Sequence, residues 1–566
     1  MEVDKPLPTY GALELEESFF VFLELPESDS FFDKKKARKR LFNLLQKKGF
    51  NTKELCLLRS SHPDLIRTSL KIMLQIARII NLDEVELYFS ENDASSTVDF
   101  YSPRNEIVSL NSILRLVENS LDGHTQMQKN ILEELRNAIF DMIANFSDKN
   151  NVKSVIVEDH CCDEERCLLQ WGEANGMRSR LGIAYVEGAG RGAIAREDLK
   201  VGDTALEIPA SLIISEELVK KSDMFHILEK RSEMSSETML LLWSMKEKHS
   251  NNSKFKVYFD TLPEEFNTGL SFGFEALMVL DETVLFEEIM QAKEHLQVQY
   301  EQLVPPLFNE HPDIFPPELY TWEKFLWACE LWYSNSMKIM FPDGELRTCL
   351  VPIASFLNHS LYPHVTSYGK VDSTTNTLKF CLSRPCSSGE ECFLSYGNFS
   401  SSHLISFYGF VPKGENPDDA IPLELEGDEG DSEDDSCISS TTTHMVRGTW
   451  FSKNHNIFHY GLPSTLLDYL RRAHNPILQA KTLLQESLEN EMEILEQLRL
   501  IFDDMMDKLG DADLEDRENS RWDVKLAIEF KDIQRRIVSS ILTSCHSGLD
   551  LVKDNLCMCM AEDTRG

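Results

Sequence analysis

A chain of 566 residues is too long for one compact core, so two to four domains are expected, and its 42% hydrophobic share is enough to fill them. Ninety-four acidic against 57 basic residues give a formal net charge of -37, which argues against nucleic acid as the main partner, because a phosphate-binding surface needs clustered Lys and Arg. A basic protein or peptide is easier to accommodate, although acidity also simply keeps a large protein soluble.

Residues 1–18 are acidic, with neither an apolar signal core nor the Arg/Ser-rich character of a transit peptide. No apolar run approaches the roughly 20 residues that a bilayer span needs. The chain thus reads as soluble, cytoplasmic or nuclear, with no membrane partner. Thirteen Cys without regular spacing fit reduced thiols in an intracellular compartment. Two clusters invite a zinc reading, His160-Cys161-Cys162 with Cys167 and Cys557-Met558-Cys559. Neither supplies four ligands at metal-binding spacing, so no metal site is expected.

Over residues 34–145 apolar side chains recur at three- and four-residue steps: Leu65, Ile66, Ile72, Met73, Ile76, Ile79 and Ile80, then Leu132, Leu135, Ile139, Met142 and Ile143. That period predicts amphipathic helices and a helical extension over 1–150, with 147–154 as a polar linker. Residues 168–176 read as a short helix stopped by Asn175-Gly176. Residues 181–213 read as strands, with Gly188, Gly190 and Gly192 in the turn between the first two. From about 215 to 340 the pattern is helical again and carries Trp243, Tyr258, Trp322, Phe325, Trp327 and Trp332. Strand character returns over 349–411. The acidic run 424–436, inside a flexible loop expected over 413–445, reads as solvated chain, or as an electrostatic lure for basic substrates. Beyond it, Leu488, Met492, Leu495, Leu498, Phe502 and Met505 trace one helical face in a closing α domain over 446–560. The fold class is α+β.

Taken singly, the chemistry-bearing motifs are weak. The three-glycine spacing is not a dinucleotide loop, because strand follows it and no acidic partner completes a βαβ unit. Asn358-His359 reads as a polar turn, and Tyr396, Tyr408 and Phe410 read as core aromatics.

Together and in order, residues 350–360 (LVPIASFLNHS) and 393–410 (FLSYGNFSSSHLISFYGF) resemble the SET domain of protein methyltransferases. The branch is that of the Rubisco large-subunit methyltransferase and its SETD3-, SETD4- and SETD6-like relatives. Phe325-Leu326-Trp327-Ala328 resembles the helix before the cofactor site, residues 258–263 resemble the Leu-Pro segment of the inserted subdomain, and Gly461-Leu462-Pro463 with Leu466, Leu467 and Leu470 resembles the domain that cradles substrate. The likeness covers roughly 165–550; the first 160 or so residues match nothing in it. It implies a β-rich SET fold with a pseudoknot over 165–412, an inserted helical subdomain at about 215–340 and a carboxy-terminal substrate-binding helical domain.

The resemblance also implies S-adenosylmethionine as cofactor and a protein-lysine N-methyltransferase acting on a protein, non-histone or histone, whose lysine lies in a basic or flexible segment. Under it, Glu187, Gly188 and Ala189 form the first cofactor loop. Asn358 and His359 contact the cofactor's amino group and adenine, and Tyr408 and Phe410 line the lysine channel and adenine side. Tyr396 matches the catalytic tyrosine. Asn335 falls where the family has the arginine that pairs with the cofactor carboxylate, and Ser355 where it has an aspartate. An amide cannot supply an Arg-carboxylate fork; Lys338 or Arg347 stand close enough in sequence to substitute. These departures leave open a catalytically degenerate SET-fold interaction protein, and the variety of acceptors within the branch leaves open a protein-histidine methyltransferase.

Overall fold

The computed structural model describes residues 19–21, 23–37, 55–57, 63–89, 102–121, 126–150, 154–158, 161–231, 234–426, 441–474, 484–510 and 520–563. The chain divides into two compact units, Met1–Asn151 and Val152–Gly566. No helix among the described residues is long and apolar enough to cross a membrane.

In the first unit, helices α1 (Pro63–Ile80), α2 (Pro103–Asn119) and α3 (Gln126–Asn150) pack on one another. Their three-and-four spacing turns Met73 and Ala77, Ile107, Leu110, Ile113 and Val117, and Leu132, Leu135, Ile139 and Ile143 wholly inward. Each buried aliphatic side chain of this size contributes roughly 1.5–3 kcal/mol. The Ser102 hydroxyl accepts from Asn105 N at 3.1 Å to start α2. Arg78 forks onto Glu106 at 2.6 and 2.8 Å between α1 and α2. Residues 147–150, expected in a linker, instead continue α3. Polar residues without Gly or Pro carry no stop signal.

In the second unit a short strand, Ile156–Glu158, which pairs with the strand Leu181–Val186, precedes α4 (Asp163–Ala174), which ends at Asn175 with Gly176 at φ +90. Strands β1 (Leu181–Val186) and β2 (Gly190–Ala195) form an antiparallel hairpin, and β3 (Thr204–Pro209) begins a second small sheet. Helices then occupy the chain as far as Asn335; the longest are α5 (Ser236–Glu247), α6 (Val284–Glu310) and α7 (Trp322–Asn335). The helical reading ran five residues too far. Ser336–Met340 is β4, paired with β5 (Leu346–Leu350), with Met337 and Ile339 buried and Lys338 exposed, the period of two that marks a strand. Strand β6 (Thr377–Cys381) pairs with β3. Tyr258, Phe315, Tyr320 and Phe325, all fully buried, join the inserted helices to the strands in one core.

Residues 401–408, read as strand, form helix α8 (Ser401–Tyr408). The Ser400 hydroxyl accepts from His403 N at 3.2 Å at its start, and Gly409 at φ +77 ends it. Strands β7 (Ala420–Glu426) and β8 (Thr441–Arg447) pair across the segment expected as a loop, so Glu424 and Glu426 belong to a ladder. The rest of the acidic run, 427–436, lies outside the described residues.

Helices α9 (Ser464–His474), α10 (Leu484–Leu509) and α11 (Trp522–Asp563) close the unit, with Leu488, Leu495, Leu498 and Phe502 inside and Met492 and Met505 half-buried. The start of α11 reaches the inserted segment: Gly273 N donates to Asp523 at 3.0 Å, and Ala527 and Phe530 share a cluster with Ile289 and with Ile405 of α8.

Two substitutions test this packing. A Cβ on Gly409 would stand 1.7 Å from Asn267 O, so Gly409→Ala meets both a clash and an unfavourable φ. It should cost on the order of 3 kcal/mol in chemical denaturation; a cost below about 1 kcal/mol would mean that α8 does not meet residues 267–268 this closely. Glu330 of α7 is buried and accepts from Thr268 and Ser271 hydroxyls, each at 2.6 Å; burial raises its pKa to about 7. Its folded pKa exceeds the unfolded value, so its stabilisation is complete below about pH 4.5 and is lost as pH rises toward 7, on the order of 3 kcal/mol. Glu330→Gln should flatten that slope in denaturant titrations run across this range, and an unchanged slope would remove Glu330 as its source.

Candidate active site

The β1–β2 hairpin turns through Glu187, Gly188 and Ala189, all exposed, with Val186 opposite Gly190. Gly188 and Gly190 take φ of +74 and +72, and a Cβ on either would meet nothing within 4 Å. Backbone conformation demands glycine here, and the turn borders open space. Gly192 answers to crowding instead, since its Cβ would stand 2.7 Å from Glu391 Oε1.

Glu391 is a buried carboxylate, 4% exposed. Asn358 Nδ2 donates to its Oε1 at 2.8 Å, and the Ser154 hydroxyl donates to Oε2. Asn358 Nδ2 also donates to Arg191 O at 3.0 Å. With both contacts on the amide nitrogen, the flip of the side chain is settled and Oδ1 remains as its acceptor.

Just beyond Glu391, Leu394 forms parallel bridges to His359 on one side and Val365 on the other. Leu394 N donates to Asn358 O, Ser395 N to Val365 O, and His364 N and Val365 N both to Phe393 O, at 2.9–3.0 Å. Residues 393–395 therefore run between the two ends of the loop 358–365. This is the threaded crossing of the fold.

Tyr396 emerges from the crossing. Its N–H donates to His359 Nδ1 at 3.1 Å, so that ring nitrogen carries no proton, and its hydroxyl donates to Leu357 O at 3.0 Å. The ring stacks on Tyr408 at 5.1 Å and meets Phe410 edge-on at 6.4 Å, while His359 lies 5.3 Å from Tyr396 and 6.1 Å from Phe410. Burial raises the Tyr396 pKa far above its usual value, with Tyr408 and Glu391 adding to it; burial pushes Tyr408 to about 12. Both hydroxyls stay neutral at physiological pH.

A cavity of about 30 Å³ opens among Ser334, Asn335, Ala354, Ser355, Tyr396 and Tyr408. It brings Asn335 and Ser355, from α7 and from the turn before Asn358, into one wall with the two tyrosines. Ile353, two residues before Ser355, sits at φ +75, a strained setting for a β-branched residue. Glu187, Gly188, Ala189, Asn358, His359 and Phe410 do not line this cavity; they lie at the hairpin turn, at the crossing and against the aromatic cluster.

Lys338 and Arg347 do not line it either. Lys338 Nζ reaches Thr348 Oγ1 at 2.6 Å and Arg347 forks onto Asp343 at 2.6 and 3.1 Å, both on the β4–β5 hairpin. The cation that sequence reasoning missed is Arg191. It reaches Glu165 at 3.2 Å and Thr261 O at 2.5 Å, and lies 5.3 Å over Phe356. Its signal was a charged residue entering a strand just after the glycine turn.

Among the described residues, His364, Cys386 and Cys392 bring possible metal-ligand atoms within 4.8 Å of one another. Phe393 N donates to His364 Nδ1 at 3.0 Å, which puts the ring proton on Nε2 and leaves the imidazole no lone pair to offer a metal. Of the clusters read from sequence, His160 is outside the described residues, and Cys161, Cys162 and Cys167 form no such group, nor do Cys557 and Cys559.

Residues 190–397 match the SET domain family. The chain is 24% identical over 290 residues to the Nicotiana tabacum ribulose-1,5 bisphosphate carboxylase/oxygenase large subunit N-methyltransferase, which covers 50% of this chain and 57% of that protein. It is 24% identical over 279 residues to Xenopus laevis N-lysine methyltransferase setd6, covering 46% and 60%, and 25% identical over 259 residues to Mus musculus SET domain-containing protein 4, covering 43% and 57%. The chain thus spans a little over half the length of these curated relatives. In fold it is similar to the crystal structure of the SET domain of LSMT bound to lysine and AdoHcy, with a TM-score of 0.53 at 19% identity over 69% of this chain and 92% of that one. Rubisco LSMT bound to AdoMet is similar too, at 0.52 and 19%, over 70% and 94%. The threaded crossing and Tyr396 fall within the residues that match the SET domain family, and the chain is similar over about half its length to the Rubisco large-subunit methyltransferase and SETD6-like proteins and shares the fold of the former.

Proposed function

We propose that the protein is an S-adenosylmethionine-dependent protein-lysine N-methyltransferase. The observation that carries this reading is the meeting of Tyr396, Tyr408, Asn335 and Ser355 around one cavity beside the Asn358–His359 crossing.

The residues present fit the cofactor. The turn at Gly188 and Gly190 borders open space, Asn358 Oδ1 offers an acceptor for an amino group, and Tyr408 and Phe410 offer ring faces for adenine. Glu187, Gly188, Ala189, Asn335, Asn358, His359, Tyr408 and Phe410 would hold it. When bound, it supplies a methyl group activated by the adjoining sulfonium. The remaining work falls to the chain. Tyr396, its proton given to Leu357 O, presents its oxygen as an acceptor for the incoming amine. A lysine with a reference pKa of about 10.4 must enter neutral, and burial in the cavity favours that form by desolvation. The tyrosine rings exclude water and hold the amine in line, so catalysis is mostly alignment.

The net charge of -37 favours a substrate lysine in a basic or flexible segment. The same reading includes no nucleic-acid or membrane partner and places the enzyme in the cytoplasm or nucleus. Asn335 and Ser355 support a second reading, a SET-fold protein that binds a partner without turnover, because an amide brings no charge to a carboxylate.

Radiolabelled methyl transfer into cell extract tests the first reading. Tyr396→Phe keeps the ring stacking and removes only the hydroxyl, and should lower incorporation by roughly 10²-fold; equal incorporation by wild type and variant would sink the assignment. Calorimetry with S-adenosylmethionine separates the readings, since micromolar binding argues against a dead pocket. Asn335→Arg should tighten that binding roughly tenfold by restoring a charge-assisted contact, and unchanged affinity would show that residue 335 does not face the carboxylate. Mass spectrometry of the product decides between a lysine and a histidine acceptor.

A further inference from the structure

The segment 154–158 precedes the residues 190–397 that match the SET domain family, yet it touches both halves of the proposed cofactor site. Its strand, Ile156–Glu158, pairs with Val186 and Tyr185, and Val155 O accepts from Glu187 N at 2.9 Å where the glycine turn begins. Ser154, one residue earlier and half-buried, donates its hydroxyl to Glu391 Oε2. Glu391 in turn takes Asn358 Nδ2 on Oε1 at 2.8 Å. One carboxyl group thus joins a hydroxyl of this segment to the amide offered to the cofactor.

The backbone of Glu391 is held by its bridge to Ile194, but the last torsion of a glutamate side chain is broad, so the plane of the carboxyl group needs contacts to set it. Gly192 crowds the Oε1 side, where a Cβ would stand 2.7 Å away, and Ser154 supplies the hydrogen bond to Oε2. With the plane set, Oε1 meets Asn358 Nδ2, whose second N–H goes to Arg191 O at 3.0 Å. Both donors of that amide are then spent, and Oδ1 faces away from them as the acceptor for an amino group. Without the Ser154 hydroxyl a buried oxygen loses its donor and the carboxyl group can turn. The Asn358 amide would then be held by one contact instead of two.

We propose that Ser154 is a positioning residue for cofactor binding: through Glu391 it fixes the Asn358 amide so that Oδ1 receives the amino group of S-adenosylmethionine. This rests on the methyltransferase reading above. Val155 O holds the glycine turn from the same segment, so the turn and the amide are kept in register with each other by residues that precede both in the chain.

The experiment is calorimetry on the full chain as wild type, Ser154→Ala and Ser154→Thr, with S-adenosylhomocysteine and with its analogue lacking the α-amino group, and thermal melting of each variant. Ser154→Ala should bind S-adenosylhomocysteine about tenfold more weakly, while Ser154→Thr, which keeps the donor, should stay within about twofold of wild type. The deaminated analogue should bind wild type and Ser154→Ala equally, because the contact that Ser154 sets up is to the missing amino group. A merely structural serine would lower the melting temperature and weaken both ligands alike, and that result overturns the proposal. So does wild-type affinity of Ser154→Ala for S-adenosylhomocysteine, or equal weakening by the two substitutions. Wild-type protein that binds neither ligand would instead overturn the methyltransferase reading, and this proposal with it.

Discussion

One stretch of six residues organises the second unit. Glu391 and Cys392 pair with β2, Leu394 takes a bridge on each side from the two ends of the loop 358–365, and Tyr396 follows. The constraint is mutual. The loop keeps its shape because a strand occupies its centre, and the strand keeps its register because both flanks bond to it. Buried Glu391 brings polar oxygens that cannot be left unsatisfied: Asn358, Ser154 and the bare backbone of Gly192 close around it. The hairpin and the Asn358–His359 pair are therefore held by one buried carboxyl group lying between them.

The cavity walls come from segments distant in the chain. Asn335 ends the last inserted helix, Ser355 precedes the loop, Tyr396 follows the crossing and Tyr408 ends α8. Their common support is the inserted segment. Glu330 ties α7 to residues 268–271, whose neighbour Asn267 packs against Gly409, and Ser334 Oγ donates to Glu330 O at 2.6 Å. Helix α11 touches the same region through Asp523 and Phe530. The carboxy-terminal helices therefore bear on the geometry of the site without contributing a residue to it.

Periodic features were legible in the sequence, and pairings were not. Three-and-four spacing marked the helices of the first unit, and Asn175-Gly176 marked the end of α4. Residues 401–408 misled because Ile405, Phe407 and Tyr408 suit strands, while the decisive signals, Ser400 and Gly409, are single capping residues. The β7–β8 ladder was hidden because its strands flank an acidic run whose composition speaks for loop. Within the site, the motif residues were found in order by resemblance, whereas Arg191 was not singled out as a member of the site. Its significance comes from partners 26 and 70 positions away, Glu165 and Thr261, which no local spacing reveals. Lys338 and Arg347 failed for the opposite reason. They are near Asn335 in sequence, but hairpin pairing carries them elsewhere.

The crossing also dictates an order of assembly. On the ribosome the loop 358–365 emerges before the stretch it surrounds, and residues 397–566 follow that stretch. A tail of that length cannot easily be drawn through a closed ring, so the loop must stay open and be laid over the strand once β2 has received it. Such closure depends on contacts between distant parts of the chain, which form late and slowly. Tyr396 therefore takes its place at the end of folding, and chains stalled before that point would hold a nearly complete core without the finished cavity.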